Sequence, residues 1–255
     1  DGDFTLPVPM LNIINGGMHA RNSTDFQEFM VVPIGFNSFS NALRAGVEIY
    51  HSLKNLIGSS NNQTTVGDEG GFAPQFTSNQ KAIELILSAI EKAGYKAGKQ
   101  CFIALDVAAS ELLMEDGLYF LPNEQSVLTA QDLINQYKEW TKQYPLISIE
   151  DGLSQNEWDD WQIMTKQIGE NVQLVGDDIY TTNPELIRKG INLNTSNALL
   201  VKPNQIGTIT ETLESICISK NQGWGTIISH RSGETEDSSI ADIAVATSAG
   251  QIKAG

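Results

Sequence analysis

The chain has 255 residues, 40% of them hydrophobic, and a formal net charge of −15. Its length suits one (β/α) barrel of about 250 residues, and its acidity excludes a nucleic-acid backbone or an anionic membrane surface as the expected partner while admitting a cation. No segment is apolar over the roughly 20 residues that a membrane span needs, and the two cysteines, Cys101 and Cys217, read as buried thiols of a reducing compartment rather than a disulfide.

The chain opens on Asp1, which leaves open a preceding signal segment. Two short apolar runs follow, Val8 to Ile14 and Phe26 to Val32, and both read as strands. They are joined through Asn15-Gly16-Gly17-Met18-His19-Ala20, whose glycines permit tight turns. His19, taken alone, reads as a turn residue. Glu28 interrupts an apolar run, so it stands at a strand end or needs a partner. A helix capped at Ser38 or Ser40 runs to about Ile57, with Leu43, Val47, Tyr50 and Leu53 at helical spacing and His51 on its surface. A second helix, Ser78 to Ala93, stops at Gly94. Between the helices, Val66-Gly67-Asp68-Glu69-Gly70-Gly71 reads either as a surface turn or as a loop whose glycines let backbone approach a ligand.

From Cys101 onward, short apolar runs alternate with helices. Phe102–Leu105 leads into Asp106, Leu146–Ile149 into Glu150 and Asp151, and Leu174–Gly176 into Asp177 and Asp178. Ala198–Val201 leads into Lys202, and Thr226–Ser229 into His230 and Arg231. Asp106, Glu150, Asp177, Lys202 and His230 stand 44, 27, 25 and 28 residues apart, intervals that suit βα units of a parallel sheet. Thr129 with Asp132 opens one helix, Ser154-Gln155-Asn156-Glu157 reads as a capping box, and Asn183-Pro184 as a cap followed by proline at the first helical position. Helices over Thr208 to Lys220 (Ile209, Leu213, Ile216, Cys217) and Asp237 to Ala249 (Ile240, Ile243, Ala244, Thr247) are expected to pack apolar stripes on the sheet. A last strand, Gln251-Ile252-Lys253, meets the chain end at Gly255. The expected fold is an α/β (β/α)8 TIM barrel of ββαα(βα)6 order, one domain over residues 1–255, with its final helix missing.

Such a barrel gathers the C-terminal ends of its strands at one face, where active sites sit. Asp106, Glu150 and Asp177 would meet there. Three carboxylates at one rim repel one another unless a cation intervenes, and an all-oxygen set suits Mg²⁺; taken singly, each acid can equally cap the following helix. Lys202 beside such cations would have its ammonium disfavoured and become a candidate base, or else it is salt-bridged to the acids. His230-Arg231-Ser232-Gly233 suits an anion gripped by the arginine fork, or is a plain strand-to-helix loop.

The motifs NGGMHA with downstream QEFM, then VGDEGG, ALDVAASE, SIED, VGDD, LLVKPNQIGT, ISHRSGETED and GQIKAG run from end to end of the chain. On them the chain resembles the enolase family. The resemblance implies a barrel whose second strand is antiparallel, and a cytoplasmic lyase that dehydrates 2-phospho-D-glycerate reversibly to phosphoenolpyruvate in glycolysis and gluconeogenesis. It implies Asp106, Glu150 and Asp177 as Mg²⁺ ligands, Lys202 as the base and Glu69 as the acid. His19, Glu28, His230, Arg231, Ser232 and Lys253 would contact the small-molecule substrate, and the full-length protein would be a homo-oligomer, a homodimer. Two departures stand out. Gly152 follows SIED where the family usually has proline, which is expected to loosen the loop without touching the ligand set. The family's small N-terminal domain, with a loop serine for a second Mg²⁺, and its C-terminal helices are not among these residues, so weak Mg²⁺ binding and little turnover are expected of them alone. Three other readings remain: a relative acting on another carboxylate substrate, which the phosphate grip disfavours; an inert fragment; and a non-catalytic role, since enolases also serve at the cell surface as plasminogen receptors through C-terminal lysines, and this chain ends Lys253-Ala254-Gly255.

Overall fold

Strands buried on both faces belong to a parallel sheet whose outside is covered by helices, and the apolar runs of this chain form such strands. The computed structural model describes residues 4–20, 23–59 and 64–254. In order come β1 (Val8–Asn15), β2 (Glu28–Val32), α1 (Phe39–Ser59), α2 (Asn79–Lys92) and β3 (Phe102–Asp106). A small hairpin of β4 (Tyr119–Leu121) and β5 (Ser126–Leu128) precedes α3 (Ala130–Gln143) and β6 (Leu146–Glu150). Then follow α4 (Trp158–Ile168), β7 (Gln173–Gly176), α5 (Pro184–Leu193), β8 (Ala198–Val201) and the single turn α6 (Pro203–Ile206). The chain continues through α7 (Ile209–Asn221), β9 (Gly225–Ser229), α8 (Ser239–Ala246) and β10 (Gly250–Lys253). Eight strands close a barrel in the order β1-β10-β9-β8-β7-β6-β3-β2. β2 runs antiparallel to β1 and β3, whereas β10 to β1 and the run from β3 through β9 to β10 are parallel. The expected ββαα(βα)6 order and antiparallel second strand are therefore present. No helix follows β10 among the described residues; Gly255 lies outside them.

Alternate strand residues face opposite sides of a sheet, and this period sorts the core into two layers. Met10, Met30, Val32, Ala104, Val175, Ala198, Leu200 and Ile227 form their own cluster inside the barrel. Their outward neighbours, among them Phe29, Ile103, Leu105, Leu174, Leu199 and Ile228, join a larger cluster with the helices. Two positions beyond inward Ala104, Val175 and Leu200 come Asp106, Asp177 and Lys202. On the reversed strand β2, Glu28 lies two positions before inward Met30. The charged residues thus occupy the next inward layer at the barrel rim.

Most helix ends follow their capping residues. Ser78 accepts from the Lys81 N–H, Thr129 and Asp132 form a capping box, and Asn183 accepts from the Glu185 N–H with Pro184 at the first position. Ser154 does not open α4. That helix starts behind Glu157, because the Ser154 carbonyl accepts the Trp161 indole N–H at 3.1 Å and the Glu157 carboxylate is taken by the Tyr119 hydroxyl. On α1 the inward face is Ala42, Ala45, Gly46, Ile49 and Leu53, while Leu43 and Val47 are exposed. Gly46 decides this: a Cβ there would lie 2.6 Å from Leu11 Cδ1, so the small-residue face is the one that closes on β1. On α7, Thr212, Ser215, Ile216 and Ser219 are buried, and Ile209, Leu213 and Cys217 are exposed. The Ser215 hydroxyl donates to the Thr182 carbonyl at 2.6 Å and the Thr212 hydroxyl to the Thr208 carbonyl at 2.7 Å, so these two buried hydroxyls are satisfied. Cys101 is buried, and burial pushes its thiol up to about 12; the expectation of two buried thiols fails at Cys217. No helix among the described residues is long and apolar enough to cross a membrane.

The Tyr180 ring is packed between two glycines. A Cβ at Gly176 would approach Tyr180 Cε2 to 2.2 Å, and one at Gly190, inside α5, would approach Tyr180 Cε1 to 2.5 Å. Glycine to alanine inside a helix ordinarily stabilises by about 1 kcal/mol. Here Gly190→Ala should instead destabilise by about 1–3 kcal/mol through overpacking, read as a lower urea midpoint. An unchanged or higher midpoint would contradict this packing.

Candidate active site

Strand register brings the acids together. Glu28 is the Cα partner of Asp106, and Asp106 of Glu150, so three carboxylates stand in a row on adjacent strands. Asp177 follows the next strand. All are at least 94% buried. Lys253, at the end of β10, points into the row: its Nζ is 2.9 Å from Glu28 Oε2, 3.0 and 3.1 Å from the Glu150 oxygens and 3.5 Å from Asp106 Oδ2. Lys202, just past β8, reaches Asp177 Oδ2 at 2.5 Å. Asp106 Oδ1 also accepts the Ala108 N–H at 3.0 Å, a local bond of the kind expected if the acid only organises its own loop.

Glu69 enters from the loop before α2. The Gly67 N–H donates to the Gly71 carbonyl at 2.8 Å, closing the turn, and a Cβ at Gly71 would strike Asn15 Oδ1 at 2.7 Å. The glycines thus let the loop lie on β1 and aim Glu69 inward. Asn12 Nδ2 donates to Glu69 Oε2 at 3.2 Å. His19 Nδ1 stands 3.6 Å from Glu69 Oε2 and 3.9 Å from Glu28 Oε1, and His230 Nε2 stands 3.6 Å from Glu69 Oε1. Arg231 and Ser232 are exposed in the loop after β9. They line a cleft of about 400 Å³ with Glu69 and His230. The loosened loop expected at Gly152 is not found: its carbonyl accepts the Tyr137 hydroxyl at 2.9 Å, and a Cβ there would lie 3.0 Å from Ile149 Cγ2 and 3.3 Å from Met164 Sδ. Three supporting residues escaped the sequence reading. Asn12 is the lone polar inward residue of an apolar run, a usable signal. Gln27, whose Nε2 donates to Asp106 Oδ2 at 3.4 Å, and Thr182, whose hydroxyl accepts the Lys202 N–H at 2.9 Å, gave none.

Among the described residues, the lysines bonded to this group of seven acids (Glu28, Glu69, Asp106, Glu150, Asp151, Asp177 and Asp178) are Lys202 and Lys253. Burial, with neighbouring acids adding to it, pushes Glu150 and Asp151 well above the ordinary carboxylate range and raises Asp106 despite Lys253. Burial likewise raises Asp178 to about 6 and Glu28 to about 7. Burial and the nearby Lys253 charge lower His230 to about 4, so its imidazole is neutral at pH 7. For Lys202, burial favours the neutral amine, but the Asp177 charge, helped by Glu150, prevails and raises the pKa, in line with the salt bridge to the acids.

The donor chemistry fits a hard cation. Asp177 Oδ1 is buried and has no hydrogen-bond partner among the described residues, and the excess of carboxylates needs positive charge. Ligand atoms of His19, Glu28 and Glu69, and of Asp151, Asp177 and Asp178, lie within 4.8 Å of one another. Asp106 and Glu150 are instead bridged by Lys253.

Glu28 yields a pH prediction. Its carboxyl titrates near 7 when folded against 4.5 as the ordinary value, so across that window the folded chain binds more protons and loses stability as pH rises. In EDTA, melting temperatures of Glu28→Gln and the parent should diverge in the variant's favour between pH 4.5 and 8. A gap independent of pH would contradict the raised carboxyl.

Comparison with known proteins bears on the same residues. The family model described as the C-terminal TIM barrel domain of enolase matches residues 3–255. The enolases of Helicobacter acinonychis strain Sheeba and Helicobacter pylori strain J99 are each 56% identical over 252 residues, covering 99% of this chain and 59% of theirs. The chain thus spans a little under three-fifths of the length of these relatives. With the closed barrel, the antiparallel second strand and the acid-bearing rim, these matches make the chain a member of the enolase family, corresponding to its C-terminal TIM barrel.

Proposed function

We propose that this barrel performs the enolase reaction, the reversible dehydration of 2-phospho-D-glycerate to phosphoenolpyruvate, as the barrel portion of a cytoplasmic, homodimeric glycolytic enzyme. The observation that carries the reading is the row Glu28–Asp106–Glu150 in register on adjacent strands, with Asp177, Lys202 and Lys253 at the same rim. Removing a proton α to a carboxylate places two negative charges on that carboxylate, and cations must stabilise them. Asp106, Glu150 and Asp177 would hold Mg²⁺, which when bound supplies that positive charge.

The chain's own groups divide the remaining work. Lys202 takes the C2 proton. It must first lose its own proton, which Asp177 opposes at 2.5 Å; as a Mg²⁺ ligand, Asp177 would favour the Lys202 ammonium less. Lys253 adds positive charge beside the substrate carboxylate. Glu69, oriented by Asn12 and flanked by His19 and His230, protonates the departing C3 hydroxyl. The C2–H electrons form the double bond, the C3–O bond breaks, and water leaves. His230 enters as a neutral hydrogen-bonding group rather than a cation. Arg231 and Ser232, on an exposed loop, are suited to grip the phosphate, and this grip favours a phosphorylated substrate over other carboxylates. A plasminogen-type role for Lys253 has no support in the geometry: that side chain is 3% exposed and enclosed by acids.

Two outcomes test the proposal in the chain joined to the flanking segments of a Helicobacter enolase. Lys202→Ala should abolish exchange of the C2 proton with solvent, whereas Glu69→Gln should slow dehydration by about 10²–10⁴-fold while exchange remains measurable. Equal loss of exchange in both variants would refute the division of roles. The 255 residues on their own, which span 59% of the length of the Helicobacter relatives, should turn over at least about 100-fold more slowly than the joined form, because small misplacements of reacting groups cost on the order of that factor. Equal turnover would show that the barrel suffices.

A further inference from the structure

Left-handed backbone is unfavourable for residues with a Cβ and persists where the surroundings enforce it. Around the rim it falls in the loops after the acid-bearing strands: Ala108 (φ 47°), Asp151 (φ 41°), Thr181 (φ 47°) and Thr182 (φ 57°). Asp151 is the one that bonds to both neighbouring loops. Its carbonyl accepts the Ala109 N–H at 3.0 Å, in the loop behind Asp106. Its carboxylate oxygens accept the Asp177 and Asp178 N–H groups, each at 2.9 Å. Its own N–H donates to the Val175 carbonyl at 3.0 Å. The side chain is buried, with 4% exposure. The left-handed turn sends the carbonyl towards one loop and the carboxylate towards the other. A residue directly after Glu150 thereby ties down the loops of both other acids.

We infer that Asp151 is a positioning residue: it fixes Asp106, Glu150 and Asp177 relative to one another. The inference rests on the cation-ligand set proposed above and adds what holds that set together. Two carboxyl oxygens that each accept one backbone N–H at 2.9 Å fix both loops directionally, and the supporting partners of metal ligands typically control affinity by about 10–100-fold.

The test titrates Mg²⁺ alone, by calorimetry, into the chain joined to the flanking segments of a Helicobacter enolase. Asp151→Asn keeps one acceptor oxygen and the tolerance of asparagine for left-handed backbone, but it sets an NH₂ group against an N–H donor. Asp151→Gly keeps the backbone freedom and removes both acceptors. Both should weaken Mg²⁺ binding by about 10–100-fold, glycine at least as much as asparagine, and saturating Mg²⁺ should restore kcat in Asp151→Asn. Should glycine fail to fold by circular dichroism, the near-isosteric asparagine decides. Asp106→Asn serves as the control for the ligand set and should lose binding. Parental affinity in Asp151→Asn alongside loss in Asp106→Asn overturns this inference alone. Parental affinity in Asp106→Asn, or no Mg²⁺ binding by the parent, overturns the ligand set and this inference with it. A fall in kcat that saturating Mg²⁺ does not restore marks general damage and also overturns it.

Discussion

Lys253 Nζ lies within 3.1 Å of Glu28 and of both Glu150 oxygens and 3.5 Å from Asp106, with 3% of the side chain exposed. In the closed barrel β6 lies opposite β10, so this one ammonium spans the barrel mouth. A buried charge is tolerated only when paired, and removing one partner of a buried pair typically costs about 3–5 kcal/mol. The arrangement is still unbalanced. Each carboxylate is desolvated before it is neutralised, and for Glu28, Asp106 and Glu150 burial outweighs the help from Lys253. The rim therefore has a standing demand for protons or cations, and the proposed chemistry draws on that demand.

Geometry supplies what charge alone cannot. The period of two along each strand carries Ala104 to Asp106, Val175 to Asp177 and Leu200 to Lys202, so the apolar plug of the barrel and its charged rim are successive layers of one pattern. The plug keeps the site dry from below, and dryness strengthens every electrostatic interaction above it. Three loops are then locked together by Asp151, while Lys202 is held at its N–H by Thr182 and at its Nζ by Asp177. Support and chemistry share residues, so few rim positions can change without altering both.

Much of this was legible in the sequence because strand ends carry a local signature. Asp106, Glu150, Asp177, Lys202 and His230 each terminate a short apolar run, and parallel topology does the rest. Caps were legible where the bond is local, as at Thr129 and Asn183. What escaped depends on distant partners. The β4–β5 hairpin consists of two three-residue strands with no periodic pattern, held by Asp25, which accepts the Asn123 and Glu124 N–H groups, and by Asn79, which donates to Glu124. On α1, Leu43 and Val47 stand at helical spacing yet lie exposed, because size at Gly46 against Leu11, a distant residue, selects the inward face. The state of Lys202 likewise depends on a partner 25 residues away in sequence, the Asp177 carboxylate that raises its pKa.

The central claim is that the carboxylates of Asp106, Glu150 and Asp177 form one cation site at the barrel mouth. Anomalous diffraction from crystals soaked in Mn²⁺, a hard oxygen-seeking stand-in for Mg²⁺, locates the ion directly. The account predicts a dominant peak coordinated by those three side chains. A dominant peak among His19, Glu28 and Glu69, or on Asp151 and Asp178 without Asp106 and Glu150, would contradict it.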